Sequence, residues 1–233
     1  MLRKLLGKFA YRWHRRSENA YINYLRKKGV KIGDGCMFRY HRTAHIDLTR
    51  PSLITIGNDV NFNKDFELQT HDYVSGIFVR KYNDFIPAHK RVEIGNNVRF
   101  GAKCIVLSGA KIGDNCFIGA YSLVNKEIPA NSVAVGIPAK VICTIDEYYE
   151  KRKALYIEEI LDYARSIQER FGRTPLVEEF YDDYPAFVDG SNFEQYDFPY
   201  YNVFNVEQFD IWKQNHKAPF KSFEEFLKAA GIE

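Results

Sequence analysis

The sequence predicts a mainly β fold: a solenoid of six-residue repeats, preceded by an N-terminal amphipathic helix and followed by a helical C-terminal extension. Three observations predict it. From Ile94 the chain falls into sixes whose first place is always apolar: Ile94, Phe100, Val106, Ile112, Ile118 and Val124. The second place is Gly at 95, 101, 113 and 119, and the fifth is small or branched, as in Val98, Cys104, Ala110, Cys116, Ser122 and Ile128. Third, the charge changes in three blocks. Residues 1–28 hold nine Lys/Arg against one acid, residues 29–145 fourteen against ten, and residues 146–233 ten against nineteen. A six-residue period is neither helical nor a plain alternation. It fits a short strand, a tight corner and the next strand, with three faces to a coil and the first-place side chains stacked inside. Adjacent coils then lie about 4.8 Å apart, and Gly suits a corner where backbones approach closely. A Gly-rich β-sandwich would hold this period only by coincidence.

Residues 1–28 are expected to form a basic amphipathic helix. Leu2, Leu5, Leu6, Phe9, Trp13, Tyr21, Tyr24 and Leu25 follow helical spacing, and Lys and Arg fill the other faces. Such a helix either packs on the solenoid with a solvated basic face, the favoured reading, or meets an anionic membrane surface. Sixes begin at Ile32, blur between Phe38 and Leu53, and return at Ile56, Phe62 and Leu68. The 24 residues from Ile32 to Ile56 are read as four sixes. Residues 74–91 break the register and are read as a loop extruded from one corner, a feature often tied to function.

After Ala139 the repeat ends. Residues 147–171 read as a long helix stopped by Gly172. Thr174-Pro175 suggests a short helix, and Asn205-x-x-Gln208 and Ser222-x-x-Glu225 look like capping boxes. The region from residue 146 holds 20 of the 36 aromatic residues, which favours a small aromatic core over a sugar-stacking platform. Cys36, Cys104 and Cys116 fall at fifth places, so they read as small buried side chains and not as a disulfide or metal set. There is no apolar run long enough to span a bilayer and no signal-peptide pattern. A reducing cytoplasm is the expected location, and no nucleic acid is expected as a partner.

The run from Val92 to Ile142, with IGDNCFIGAYSLVNKEIPANSVAVGIPAKVI at its heart, resembles the hexapeptide-repeat acyltransferases. It is most similar to sugar O-acetyltransferases of the maltose and galactoside type and to those of capsule and O-antigen synthesis. The resemblance spans roughly residues 20–145. It implies a left-handed parallel β-helix, an exception to the usual right-handed crossover. It also implies acetyl-CoA as acyl donor, a sugar or polysaccharide-precursor acceptor, no metal, and a homotrimer. Peripheral contact with the inner membrane face is the extension that the basic helix suggests.

The resemblance points to His71, just before the loop, as general base. An acceptor hydroxyl is a poor nucleophile at neutral pH, and a neutral imidazole can take its proton during attack on the thioester. Asp47 resembles the acid that orients the base or touches the acceptor, although its spacing departs from the family's, and Asn63 is a second acceptor-side candidate. Ala102 and Ala120, eighteen residues apart, match positions that present backbone to the pantetheine arm. Lys126 and Lys140 match basic positions near the nucleotide phosphates, and Gly136 matches the closing turn beside the adenine. Two departures stand out: Arg99 where the family often has Trp, and Tyr121 where it often has Gly. Other function classes are weighed alongside. An amino-sugar N-acetyltransferase is a close variant. A non-catalytic scaffold in polysaccharide assembly would use the acidic C-terminal region. A γ-type carbonic anhydrase needs three His with H-x4-H spacing, which this chain lacks.

Overall fold

The computed structural model describes residues 15–196 and 206–232. The chain forms two compact units, the first ending at Tyr149 and the second beginning at Glu150. Three sheets build the first unit. One holds β1 (Lys31–Ile32), β4 (Ile54–Ile56), β7 (Val92–Ile94), β10 (Lys111–Ile112) and β13 (Glu127–Ile128). The second holds β2 (Met37–Phe38), β5 (Asn61–Phe62), β8 (Arg99–Phe100), β11 (Phe117–Ile118), β14 (Ser132–Val135) and β15 (Lys140–Thr144). The third holds β3 (His45–Ile46), β6 (Glu67–Leu68), β9 (Ile105–Val106) and β12 (Leu123–Val124). Up to β14 the strands enter the three sheets in strict rotation, and every pairing among them is parallel. Only β15 turns back, antiparallel to β14, and closes the second sheet.

The pairings explain the repeat. Ile94 pairs with Ile112, Phe117 and Ile118 with Arg99 and Phe100, and Val106 with Val124, each eighteen residues apart. First-place side chains therefore stack on their own kind. Phe38, Phe62 and Phe100 lie ring on ring at 4.2 and 5.3 Å, with Phe66 tilted against the last two. All four are buried. The corners are equally regular. Asn58, Asn96 and Asp114 each accept, through Oδ1, the backbone N–H one coil below. Asn97, Asn115 and Asn131 sit in the left-handed region at φ 51–58° and bond side chain to side chain. Asn tolerates that conformation better than bulkier residues.

Two spacings differ from the sequence reading. The 24 residues from Ile32 to Ile56 make one coil and not four sides, because β1 pairs directly with β4. Phe38 to Ile46 carries two residues beyond a six, and Ile46 to Ile56 carries four, so the sum mimics an extra side. At the other end Ile128 is the inward first-place residue of β13, paired with Ile112, not a fifth-place residue. The corner after Val124 is two residues short. The buried thiols do hold fifth places. Cys36, Cys104 and Cys116 donate to the carbonyls of Gly57, Gly119 and Pro129 at 3.1–3.2 Å, and none is in a disulfide. Burial pushes the Cys104 thiol up to about 11.

Helix α1 (Glu18–Lys28) packs on the first coil. Its Tyr21 meets the Phe38 ring edge-on at 5.2 Å, and Tyr21, Ile22 and Leu25 are buried. Arg26 clasps the coil through the carbonyls of Ile32 and Gly33 and the carboxylate of Asp34. A single helix over 1–28 is not found. Ser17 is extended and caps α1, its hydroxyl accepting from the Ala20 N–H. The more N-terminal part of the expected helix, residues 1–14, lies outside the described residues. The extruded segment is also more ordered than a plain loop: α2 (Ser75–Tyr82) runs to Asn83, which ends it in the left-handed conformation.

Helix α3 (Ile145–Phe171) starts in the first unit, and its part in the second buries Ile160, Ala164 and Ile167 against Phe180, Phe187 and Phe226. The rings meet mostly edge to face, Phe180–Phe226 at 5.0 Å and Phe187–Phe223 at 5.1 Å. The remaining helices are α4 (Val206–Asn215) and α5 (Phe223–Ala229). Ser222 caps α5, accepting from the Glu225 N–H, and Gly231 follows its end at φ 79°. The expected cap at Asn205 lies outside the described residues, and the short helix after Pro175 is a 3-10 turn, Val177–Phe180.

Candidate active site

The corner where the third sheet hands over to the first carries the candidate chemistry. Strand β3 leads into Asp47, and β6, the next coil, leads through Gln69 and Thr70 into His71. The Asp47 N–H donates to the Leu68 carbonyl at 2.9 Å, which locks the two coils in register. His71 is fixed from its other side by the returning end of the extruded segment. His71 and His89 form an antiparallel bridge, and the Lys90 N–H donates to the Thr70 carbonyl at 3.1 Å.

These constraints bring His71 Nδ1 to 2.7 Å from Asp47 Oδ2. Asp47 is 6% exposed and accepts four further hydrogen bonds. Oδ1 takes the Thr49 N–H at 2.9 Å and its hydroxyl at 2.7 Å. Oδ2 takes the Thr70 N–H at 3.1 Å and its hydroxyl at 2.5 Å. Burial alone would raise this carboxyl's pKa. The hydrogen bonds from Thr70, Thr49 and His71 outweigh burial and hold it well below the usual carboxylate range. An ionised carboxylate only accepts, so the imidazole proton belongs on Nδ1 and the lone pair on Nε2. The arrangement can therefore present an oriented proton acceptor. It opens on a cavity of about 380 Å³, whose lining includes Asp47, Thr49, Gln69, His71 and Tyr73. The Tyr73 ring meets the imidazole edge-on at 5.1 Å.

Asp47 and His71 are thus brought together. Asn63 is elsewhere: it follows β5 at the corner between the second and third sheets, and its side-chain oxygen accepts from the Lys64 N–H at 2.8 Å. Thr49 and Thr70 were not singled out by the sequence reading, and their signal is faint. Asp47-x-Thr49 is a local side-chain-to-backbone turn, and Thr70 simply precedes the His. Among the described residues no other His bonds Asp47, and His216 lies in the second unit, its Nε2 2.6 Å from the Pro185 carbonyl oxygen. His89 is exposed in the returning strand. His41 Nε2 lies 3.1 Å from the Arg15 carbonyl oxygen, His45 lines the cavity, and His14 lies outside the described residues.

Ala102, Ala120 and Gly136 follow β8, β11 and β14 and so share one edge. The Tyr121 N–H donates to the Ala102 carbonyl at 2.8 Å, and the Leu123 N–H to that of Gly136 at 3.0 Å. The stacking is tight: a Cβ at Gly101 would come within 2.4 Å of the Ala120 nitrogen. Gly136 itself sits at φ 100°, where other residues are strained. Lys126 follows β12 on the edge that His71 occupies two strands earlier, and Lys140 opens β15; both are exposed. Of the two departures, Arg99 donates to the Asp59 carbonyl. Tyr121 is exposed at φ 59°, with the Lys103 ammonium 5.0 Å from its ring centroid. Among the described residues no group of three or more His, Cys, Asp or Glu side chains could hold a metal ion. None of the described helices is long and apolar enough to cross a membrane.

Comparison with known proteins agrees with this architecture. The bacterial transferase hexapeptide family (six repeats) matches residues 91–126. Protein CapG of Staphylococcus aureus is 35% identical over 156 residues, covering 67% of this chain and 87% of that one. The galactoside O-acetyltransferase of Escherichia coli K12 is 32% identical over 142 residues, 58% of this chain and 67% of that one. A solved galactoside acetyltransferase in complex with coenzyme A is 25% identical, with 60% and 80% of the two chains covered and a TM-score of 0.45. On the repeat match and the extent of these two relatives, the chain belongs to the hexapeptide-repeat acyltransferases.

Proposed function

We propose that this protein is an acetyl-CoA-dependent O-acetyltransferase that moves an acetyl group onto a sugar hydroxyl, in the synthesis of a surface polysaccharide such as a capsule or O-antigen. The observation that carries the reading is the Asp47–His71 pair at the mouth of a cavity, in a chain of this family. His71 Nε2 takes the proton of the acceptor hydroxyl as that oxygen attacks the thioester carbonyl carbon. A tetrahedral oxyanion forms, stabilised by a backbone N–H. It collapses with cleavage of the C–S bond, and the imidazolium returns its proton to the departing thiolate. The products are the O-acetyl sugar and coenzyme A. Asp47 keeps the ring in the competent tautomer and stabilises the imidazolium. Much of the rate comes from holding both substrates on a rigid scaffold.

In this reading the three sheets close into a left-handed parallel β-helix, and the edge of Ala102 and Ala120 carries the pantetheine arm. Lys126 and Lys140 meet the nucleotide phosphates, and Gly136 lies beside the adenine. The working form is a homotrimer in the cytoplasm. The exposure of Ile77, Tyr82 and Phe85 in the extruded segment, 62, 60 and 68%, favours a neighbouring subunit as the surface on which the segment rests. The decisive variant is His71→Ala. Turnover should fall about 10²–10⁴-fold while acetyl-CoA affinity stays that of the wild type, and His89→Ala should remain active. Near-normal turnover in His71→Ala would place the base elsewhere.

A further inference from the structure

A second side chain in the cavity beside His71 has an orientation that proton transfer does not explain. Along this edge burial alternates: Leu68 and Thr70 are buried, while Glu67, Gln69 and His71 are only half-buried. Three side chains two residues apart thus share the outer face of one strand and its corner. Gln69 and His71 both line the cavity of about 380 Å³. The Gln69 backbone is fixed, its N–H donating to the Val106 carbonyl at 2.9 Å. The side chain is fixed as well, because Nε2 donates to Glu67 Oε1 at 2.6 Å. A carboxylate only accepts, so the amide cannot turn over without setting oxygen against oxygen. His45 Nδ1, on the neighbouring strand β3, lies 3.9 Å from the same Glu67 oxygen. The end of the amide left over is Oε1, which has no hydrogen-bond partner among the described residues.

We propose that Gln69 binds the acceptor: its amide oxygen takes a hydrogen bond from a second hydroxyl of the sugar ring whose first hydroxyl meets His71. The proposal rests on the acetyltransferase reading and names a group that the acceptor must carry. A carbonyl oxygen without a partner on a cavity wall selects for a donor, and a ring hydroxyl is the donor that a neutral pyranose offers beside its nucleophile. Two fixed contacts hold the ring so that one hydroxyl and not another is turned to Nε2 of His71. An acceptor that covers the amide oxygen without donating to it leaves that oxygen unpaired, so the corresponding deoxy sugar is rejected. Glu67 touches no substrate in this arrangement. It is a positioning residue that acts through Gln69, and its charge strengthens the bond that holds the amide. Gln69 is a specificity residue and takes no part in bond making.

The test uses the full-length protein at saturating acetyl-CoA and follows thioester loss with methyl β-D-glucopyranoside, methyl β-D-galactopyranoside and the monodeoxy forms of each. For the better glycoside, one deoxy form should give no transfer, having lost the nucleophile. A second should fall about tenfold in kcat/KM, having lost the hydroxyl that Gln69 binds. Gln69→Met should lower the intact glycoside by a similar factor and leave the second deoxy form no worse than with the wild type, so the two losses do not add. Glu67→Gln should give a smaller loss of the same pattern, and none on top of Gln69→Met. A merely structural role would lower every acceptor alike. Thermal melting checks the fold of each variant, and Gln69→Ala carries the comparison if Gln69→Met does not fold. Equal use of all deoxy forms that keep the nucleophile, additive losses in Gln69→Met, or no turnover and no calorimetric binding of either glycoside would overturn the proposal. Acetyl-CoA binding is measured separately, without acceptor. Its absence sinks the parent reading, whereas intact binding with additive losses sinks this inference alone.

Discussion

Replacing Asp47 by Asn isolates the role of the carboxylate. The side chain keeps its shape, and an amide oxygen at Oδ1 can still accept from Thr49. The amide NH2 then stands where Oδ2 accepted from Thr70 and His71. An NH2 group donates, so it favours the imidazole tautomer with the lone pair on Nδ1 and the proton on Nε2, the wrong atom for a base. Restoring the competent tautomer means losing a charge-assisted bond, worth about 1.5–3 kcal/mol, and opposing two donors. Together these raise the barrier by about 3–5 kcal/mol, or roughly 10²–10⁴ in kcat at 1.36 kcal/mol per decade. The buried Thr70 N–H also loses its acceptor, at about 1–3 kcal/mol of stability. Steady-state thioester loss with a sugar acceptor reads the first effect, and denaturant unfolding reads the second. Acetyl-CoA affinity should not change. A kcat within threefold of the wild type would refute the assignment of Asp47 as the group that sets the tautomer of His71.

The same carboxylate predicts a pH dependence of stability. Its folded pKa lies below the unfolded value, so its contribution is fully present above about pH 4 and is lost as pH falls towards the folded pKa. The stability gap between wild type and Asp47→Asn, followed by urea unfolding from pH 7 down to pH 2, should therefore stay level and then shrink; a gap that widens in acid would reverse the sign. Deleting residues 76–88 removes α2 and the exposed apolar side chains of the extruded segment. Transfer should then collapse while sedimentation still reports a trimer, and unchanged turnover would show that the segment does not close a site.

The repeat was legible because the same inward position recurs with the same chemistry. Phe62 and Phe100 occupy one stack, and the period of six is the step from one face's stack to the next, three steps making a coil. The first coil was not legible in the same way. Its six added residues are divided between two corners, and their sum restores the period by arithmetic, so Ile32 to Ile56 looked like four sides when it is one coil. The site inherits that difficulty. Asp47 faces His71 because Ile46 pairs with Leu68, a pairing hidden in the blurred stretch, whereas His71 was marked by the break in register that follows it. Thr49 and Thr70 carry no periodic signal, and only the fold shows that they converge on one carboxylate. Arg15 read as one more cation of a basic helix. It is instead a turn residue before Ser17, and that displacement sets it on the cavity wall.

The most direct test of the central claim needs no knowledge of the acceptor. Acetyl-CoA is titrated calorimetrically into the purified protein, with dephospho-acetyl-CoA alongside. Binding should saturate at one molecule per subunit, weaken when the 3′-phosphate is missing, and stabilise the fold by about 2.7 kcal/mol at 100 times the dissociation constant. No binding at millimolar acetyl-CoA would contradict the central claim and leave a scaffold that keeps the coil without the chemistry.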